Sequence, residues 1–455
     1  MSSDERPPAE RWGAVVVGAG VAGLVAAREL ALAGVRTLVL DARDAPGGAV
    51  RGHEVAGLRL DAGAESFATR GGTVAGYLAE LGLADRVCAP SGRGSWVHLP
   101  SGDGPLPRTG LLGIPSAPFA ADVRRTLGLL GAARASLDLV LPRSVGAKAT
   151  TLGGLVRARM GARVLDRLVR PIVGGVHAAE PDDLAVDAVA PGLTAAVAGS
   201  RGSLARAVRT IRAAAPAGTA VAGLEGGVHG LVDALAEQVD EIRLRTPVTR
   251  IERTPDGLVV TTASGTLHAG RVLLAAPVPG LLDPLVGIGA TPDAGAAVTL
   301  VTLVLDAPAL DAAPRGTGVL VAREATDVAA KALTHATAKW PWLAAAAGPG
   351  RHVVRLSYGR AGEAAAAPDV ATALADASVL LGTPLTGADV VGHATVRWTQ
   401  ALPRPSAAHR DWVAAARSAL ADQPDVAVAG AWVAGNGLAA VIPDAQAAAR
   451  SLLGA

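Results

Sequence analysis

Four consecutive apolar residues, Ala14 to Val17, run directly into Gly18, Gly20 and Gly23. An apolar run without polar alternation predicts a strand buried on both faces. Ala22 to Ala33 continues at helical propensity until Gly34, and "VRTLVLD" then supplies a second buried strand ending at Asp41. From about Thr73 to Pro216 the pattern is largely helical, with loops at "SGRGSWVHLPSGDGPLPRTG" and "LGIPSAP". Gly226 and Gly227 precede an amphipathic helix, after which "RTPVTRIERTPDGLVVTTASGTLHAGRVLLAAP" predicts three strands, the first two joined by an Asp256-Gly257 hairpin turn. From about Gly287 to Ala421, apolar segments such as "VTLVTLVLD" and "HVVRLSYGR" predict a second sheet, covered by helices such as the Ala-rich run after Glu363. The chain closes with a strand at Val426 to Ala429, a glycine-containing loop from Gly430, and a last helix starting at Pro443 and Asp444.

This order predicts an α/β nucleotide-binding domain that the chain leaves and re-enters, built from 13–72, 217–286 and 422–455. Residues 73–216 form a helical substrate or membrane-proximal region, and 287–421 form a substrate-binding sheet domain of α+β character. The leader at 1–12 mixes acids, prolines and arginines without an apolar core, so it reads as a disordered arm and not as a signal peptide.

The glycine spacing carries the first chemistry. Gly18 permits a tight turn, Gly20 lets backbone approach a pyrophosphate, and Gly23 lets helix and strand pack closely. The helix N-terminus meets the phosphate charge. Asp41 lies at about the 20-residue offset expected of a carboxylate that binds ribose hydroxyls. This fingerprint serves NAD and FAD alike. Gly47, Gly48 and Arg51 follow in "DARDAPGGAVR", which resembles the GGxxR extension of FAD-containing, amine-oxidase-like flavoproteins. Two glycines allow a loop to pass close to the cofactor, and Arg51 suits a bidentate phosphate contact.

Composition removes other classes. A net charge of +2 over 455 residues gives no broad electrostatic case for nucleic acid. One cysteine, Cys88, rules out an internal disulfide framework or a multi-cysteine metal site and fits a reducing compartment. It lies far from the C-terminal segment where some flavin amine oxidases carry a cysteinyl link, so noncovalent FAD is expected. No apolar run reaches spanning length, and no Ser/His/Asp, Cys/His or HExxH arrangement stands out, so no metal and no catalytic acid or base is assigned. Arg159, Arg163, Arg167 and Arg170 fall at helical spacing on one face. That face is either solvated or a docking surface for an acidic partner, an anionic membrane or a carboxylate-rich product.

From residue 14 to the end, the chain resembles the bacterial, actinobacterial-type coproporphyrinogen III oxidase and protoporphyrinogen oxidase family. The segments that carry this are "DAGAESFATR", "GIPS", "RPIVGGVHAAEPDDLAV", "GVLVAREATDVAAKALTHATAKWP", "VRLSYGR", "RWTQALPRPSAAH" and "AVIPD". The resemblance implies a glutathione-reductase-like, Rossmann-type FAD domain with an interleaved substrate domain. It places Gly63, Ala64, Glu65 and Ser66 in a turn beside the isoalloxazine, Val248 where backbone contacts adenine, and Trp398 near the flavin. It also places Gly430 and Val441 in the closing flavin-facing segment. For substrate it implies a Gly175 carbonyl facing the pyrroles, with Arg70 and Arg93 where propionates could be met. This sequence departs from the family pattern at "GNGLAAVIPD" and "ALPRP", and holds only two Phe and two Tyr.

The implied activity is oxygen-using, six-electron oxidation of coproporphyrinogen III to coproporphyrin III in haem biosynthesis, with hydrogen peroxide as by-product. A cytoplasmic enzyme with at most peripheral membrane contact is expected, possessing no nucleic-acid partner and passing product to a downstream ferrochelatase. Protoporphyrinogen IX oxidase, another amine-oxidase-fold dehydrogenase and a non-catalytic tetrapyrrole-binding flavin-fold protein stay open as alternatives.

Overall fold

The computed structural model describes residues 10–177, 180–214, 220–289, 296–360, 368–402 and 407–454. Most of the leader, the Ala-rich run after Glu363, residues 403–405 of "ALPRP" and Ser406 lie outside them.

The opening apolar run is the middle strand of a five-stranded parallel sheet. Its order is Glu241–Arg243, Thr37–Leu40, Ala14–Val17, Val272–Leu274, Val426–Val428. Val15 stands opposite both Leu38 and Val272, so sequence-distant strands flank it. All four of its residues are buried because both faces are covered. Ala14 and Val16 pack under Val21–Leu32 and the closing helix. Val15 and Val17 pack against a second sheet and against Trp412 and Trp432. Each such buried valine or leucine contributes roughly 1.5–3 kcal/mol.

That covering sheet corrects two expectations. The segment read as three strands holds four: Val248–Thr254, Gly257–Thr262, Gly265–Ala269 and Val272–Leu274. The extra reversal occurs where Thr262 pairs directly with Gly265, whose φ of 130° only glycine adopts easily. Glu10–Trp12, expected in a disordered arm, forms a strand parallel to Gly265–Ala269. Trp12 is buried, with the Arg36 guanidinium 4.0 Å from its ring, and Arg243 pairs with Glu10. One aromatic ring and one ion pair order residues whose composition alone reads as solvated.

The second domain carries a seven-stranded mixed sheet. Its order is Val390–Leu402, Ala296–Asp306, Arg351–Tyr358, Ala332–His335, Gly318–Val321, Trp96–His98, Gly104–Pro105. The last two strands come from the mostly helical stretch 73–216 and complete one edge of the sheet.

The four-arginine face does not form. Gly161 (φ 92°) and a π-helical turn at Leu165–Val169 interrupt the helix, so the arginines diverge. Arg159 is fully buried, donating to the Asp138 carboxylate at 2.7 Å and to the Asp138 carbonyl at 2.7 Å. Asp138 also accepts from Ser203 Oγ and the Leu204 and Ala205 amides, which neutralises the pair's desolvation. Arg167 donates to the Thr126 carbonyl, and Arg170 sits among Glu180, Asp166 and Asp182.

The closing helix spans Leu438–Leu453, five residues earlier than the expected start, with Pro443 inside it. Asp444 accepts from the Gly430 amide at 3.1 Å and pairs with Arg417. It therefore ties the closing helix to the preceding loop and does not cap the helix.

Candidate flavin and substrate site

The glycine loop has the shape its spacing requires. Gly18 has φ 109°, and a Cβ on Gly23 would stand 1.8 Å from the Gly18 carbonyl oxygen. Helix Val21–Leu32 starts at Gly20 with no side-chain cap and no acid in its first turn. Its first amides therefore remain available to an anion. Gly47 bridges to Gly20, its amide bonding the Ala19 carbonyl at 2.7 Å, and Gly48 has φ 58°. Asp41 accepts from the Ala19 amide at 2.7 Å and the Arg43 amide at 2.8 Å. Each carboxylate oxygen keeps a further lone pair with which to accept from a hydroxyl. Val248 starts a strand just after Thr246, whose amide bonds the Asp41 carbonyl, so it lies at the same end of the parallel sheet. The uncapped helix, three tight glycines and a carboxylate at this distance fit a dinucleotide cofactor.

Arg51 and the 61–66 turn meet beside Trp398. The turn's Ala62 and Ala64 amides bond the Arg51 and Ala49 carbonyls, and Trp398 Nε1 donates to the Ala62 carbonyl at 3.3 Å. A Cβ on Gly63 would stand 2.1 Å from the Ala49 carbonyl oxygen and 3.2 Å from the Trp398 ring. The Arg51 guanidinium lies 5.2 Å from that ring. Ala64 and Ser66 flank Glu65, which does not behave as a small turn residue. It is held by Lys339 Nζ at 2.6 Å and by Arg355 at 3.1 Å. Burial pushes the Glu65 carboxyl up, but Arg355 and then Lys339 outweigh that and hold it below its usual range.

The closing segment completes one side. Gly430 (φ 110°) abuts the start of the first helix, where its Cβ would lie 3.3 Å from Ala22 Cβ. Val441 is buried in the core shared with that helix, and its amide bonds the Gly437 carbonyl. The open amides at this helix start belong to Leu438 and Ala439.

The substrate candidates separate. Gly175 lies in the final turn of helix Arg170–His177, where carbonyls lack partners inside the helix. Arg70 is exposed in the loop after Phe67–Ala68. Arg93 borders a recess of about 430 Å³ with Asp311, His335 and His352. His352 and Arg355 lie on opposite faces of one strand, because their positions differ by an odd number. Arg93 is therefore not brought to the turn at Glu65.

Sequence reasoning missed Lys339, Arg355, Asp61 and His53. Arg355 Nη1 donates to the Gly63 carbonyl at 2.7 Å and the Asp61 carbonyl at 3.2 Å. Asp61 accepts from the Val228 and His229 amides and from the His229 ring, tying the turn to the second visit to the nucleotide domain. His53 presents a buried Nε2 without a partner among the described residues. Burial, then Arg355 and Arg51, hold its imidazole below the usual range. The "AKWP" and "VRLSYGR" segments contain Lys339 and Arg355, but nothing local marks either as facing Glu65.

Comparison with known proteins agrees with this geometry. The flavin containing amine oxidoreductase model matches residues 21–451. The coproporphyrinogen III oxidase of Mycobacterium tuberculosis is 31% identical over 96% of each chain. That of Propionibacterium freudenreichii is 30% identical over 99% of this chain and 92% of its own. A crystal structure from Exiguobacterium sp. 255-15, assigned as a protoporphyrinogen oxidase, superposes with TM-score 0.82 at 25% identity over 99% of both chains. The chain therefore belongs to the flavin containing amine oxidoreductases and, within them, to the family that includes the curated coproporphyrinogen III oxidases.

Proposed function

We propose that this protein oxidises coproporphyrinogen III to coproporphyrin III in haem synthesis, with noncovalent FAD and molecular oxygen as terminal acceptor. The observation that carries the reading is full-length similarity to coproporphyrinogen III oxidases, on a scaffold whose glycine cradle, Arg51, 61–66 turn and Trp398 converge. When bound, the flavin supplies a two-electron acceptor for each successive bridge oxidation. Six electrons leave the macrocycle, and three oxygen molecules would become three of hydrogen peroxide.

The chain's own contribution is position and exclusion of water. Gly18, Gly20, Gly23, Gly47 and Gly48 would admit the pyrophosphate, Asp41 the ribose, and Arg51 a phosphate. Val248 is assigned to the adenine end, with Gly430 and the closing helix at the flavin end. The Gly175 carbonyl is assigned as acceptor for pyrrole NH donors, and Arg70 as a propionate partner at the entrance. Aromatisation favours loss of the NH proton, so no side-chain base is assigned. Cys88, the only cysteine, lies in strand Val87–Cys88 with its thiol pushed up by burial, which supports noncovalent attachment.

Cytoplasmic location and delivery to a ferrochelatase belong to this reading. So does peripheral contact with a membrane through Phe119, Leu129, Leu130, Leu137 and Val140, all large apolar side chains left exposed. No described helix is long and apolar enough to cross a membrane.

A side-by-side assay of coproporphyrinogen III and protoporphyrinogen IX under air tests the function. Fluorescent coproporphyrin with matching oxygen consumption is expected. Preference for the dicarboxylate would support protoporphyrinogen oxidase, and inactivity of the FAD-loaded protein on both would remove the proposal.

A further inference from the structure

The 61–65 turn is clamped from two domains at once. Its amides reach the 49–51 loop, while its carbonyls receive Arg355 from the substrate sheet and Trp398 from the edge strand Val390–Leu402 of that sheet. Glu65 closes the clamp as the only acid between two cations, Lys339 at 2.6 Å and Arg355 at 3.1 Å. All three side chains are mostly buried, with 18%, 11% and 13% of the Lys339, Glu65 and Arg355 surfaces exposed. Neither cation has another acid within ion-pairing distance among the described residues. Within this triad two positive charges and one negative charge leave a net charge of +1 where water screens poorly, while the Asp61 carboxylate of the same turn is engaged separately by the Val228 and His229 amides and the His229 ring.

We propose that Lys339, Glu65 and Arg355 are positioning residues that fix the 61–65 turn and whose net positive charge favours the reduced, anionic form of the flavin beside it. This rests on the reading of that turn as flavin-flanking. Mere structural support would need the ion pairs but would be indifferent to the sign of the remaining charge. An electrostatic role depends on that sign. Replacing Glu65 by Gln leaves two positive charges, replacing Lys339 by Gln leaves none, and the double replacement restores one.

The test is the midpoint potential of the flavin bound to E65Q, K339Q, the E65Q/K339Q double variant and K339R. E65Q shifts the oxidised-to-reduced equilibrium about tenfold toward reduced flavin, near +30 mV for a two-electron couple. K339Q shifts it the opposite way by a similar factor. The double variant and K339R return near the parent value. Single variants that move together, or do not move, overturn the proposal, as does a double variant farther from the parent than either single. If E65Q does not retain flavin, K339Q against K339R decides alone. Parent protein that binds no FAD is a different result: it removes the flavin reading itself and this proposal with it.

Discussion

His335 is fully buried, its Nε2 3.0 Å from His352 Nδ1 and its Nδ1 without a partner among the described residues. Burial first, then the neighbouring His352 and Arg93, lower its pKa to about 3. The imidazole is thus neutral in the folded chain while its unfolded counterpart takes up a proton below roughly pH 6.5. The stability that neutral His335 permits is fully present above that value and is lost as pH falls toward 3, by up to about 1.4 kcal/mol per unit. Replacing His335 by Gln flattens this limb: urea unfolding at pH 5 and pH 7.5 should show a smaller difference for H335Q than for the parent. An unchanged difference contradicts the assignment. At this scale, Gly18, Gly20, Gly23 and Asp41 were readable because their spacing is itself a mechanism. Glu65 was readable as part of a turn but not as an ion-pair partner, since Lys339 lies 274 positions away and no periodicity joins them.

Elements fail or hold according to what interrupts them. Arginines spaced four, four and three apart share one face only on an unbroken helix, and Gly161 with the π-helical turn breaks it. The consequence is measurable: D138A, which strands buried Arg159, should lower unfolding stability by about 3–5 kcal/mol. R163A at an exposed position should change it by less than about 0.5 kcal/mol. Equal small effects would restore the solvated-face reading. Gly128 breaks helix Ala121–Ser136 in the same way (φ 72°), and Leu129 and Leu130 beyond it are 67% and 78% exposed. Arg124, Arg125, Arg134 and Arg143 are exposed along the same stretch, so the pairing of apolar tip and cations suits an anionic bilayer. Vesicles containing anionic lipid should sediment the parent protein and release L129S/L130S; equal sedimentation of both would contradict a role for this tip.

The whole molecule depends on three separate visits to one parallel sheet. Their order was legible because four of the five strands are short, mainly apolar runs, two of them ending at glycine or an acid, as at Val17–Gly18 and Leu40–Asp41, whereas Glu241–Arg243, reading EIR, carries no such signal. Attachment of the second domain was not. It runs through carbonyls of Asp61, Ala62 and Gly63, and backbone acceptors leave no mark in composition or spacing. The edge strands Trp96–His98 and Gly104–Pro105 are too short for periodicity to reveal, so their recruitment by Gly318–Val321 was equally hidden. What joins these scales is the claim that the assembled cradle holds FAD where a porphyrinogen can reduce it. Mixing the FAD-loaded protein anaerobically with coproporphyrinogen III tests this in one step. The account predicts that the yellow absorbance of the bound flavin bleaches and returns on admitting air, with coproporphyrin fluorescence appearing alongside. Absorbance that stays unchanged while the protein binds the macrocycle would contradict it and favour a carrier without turnover.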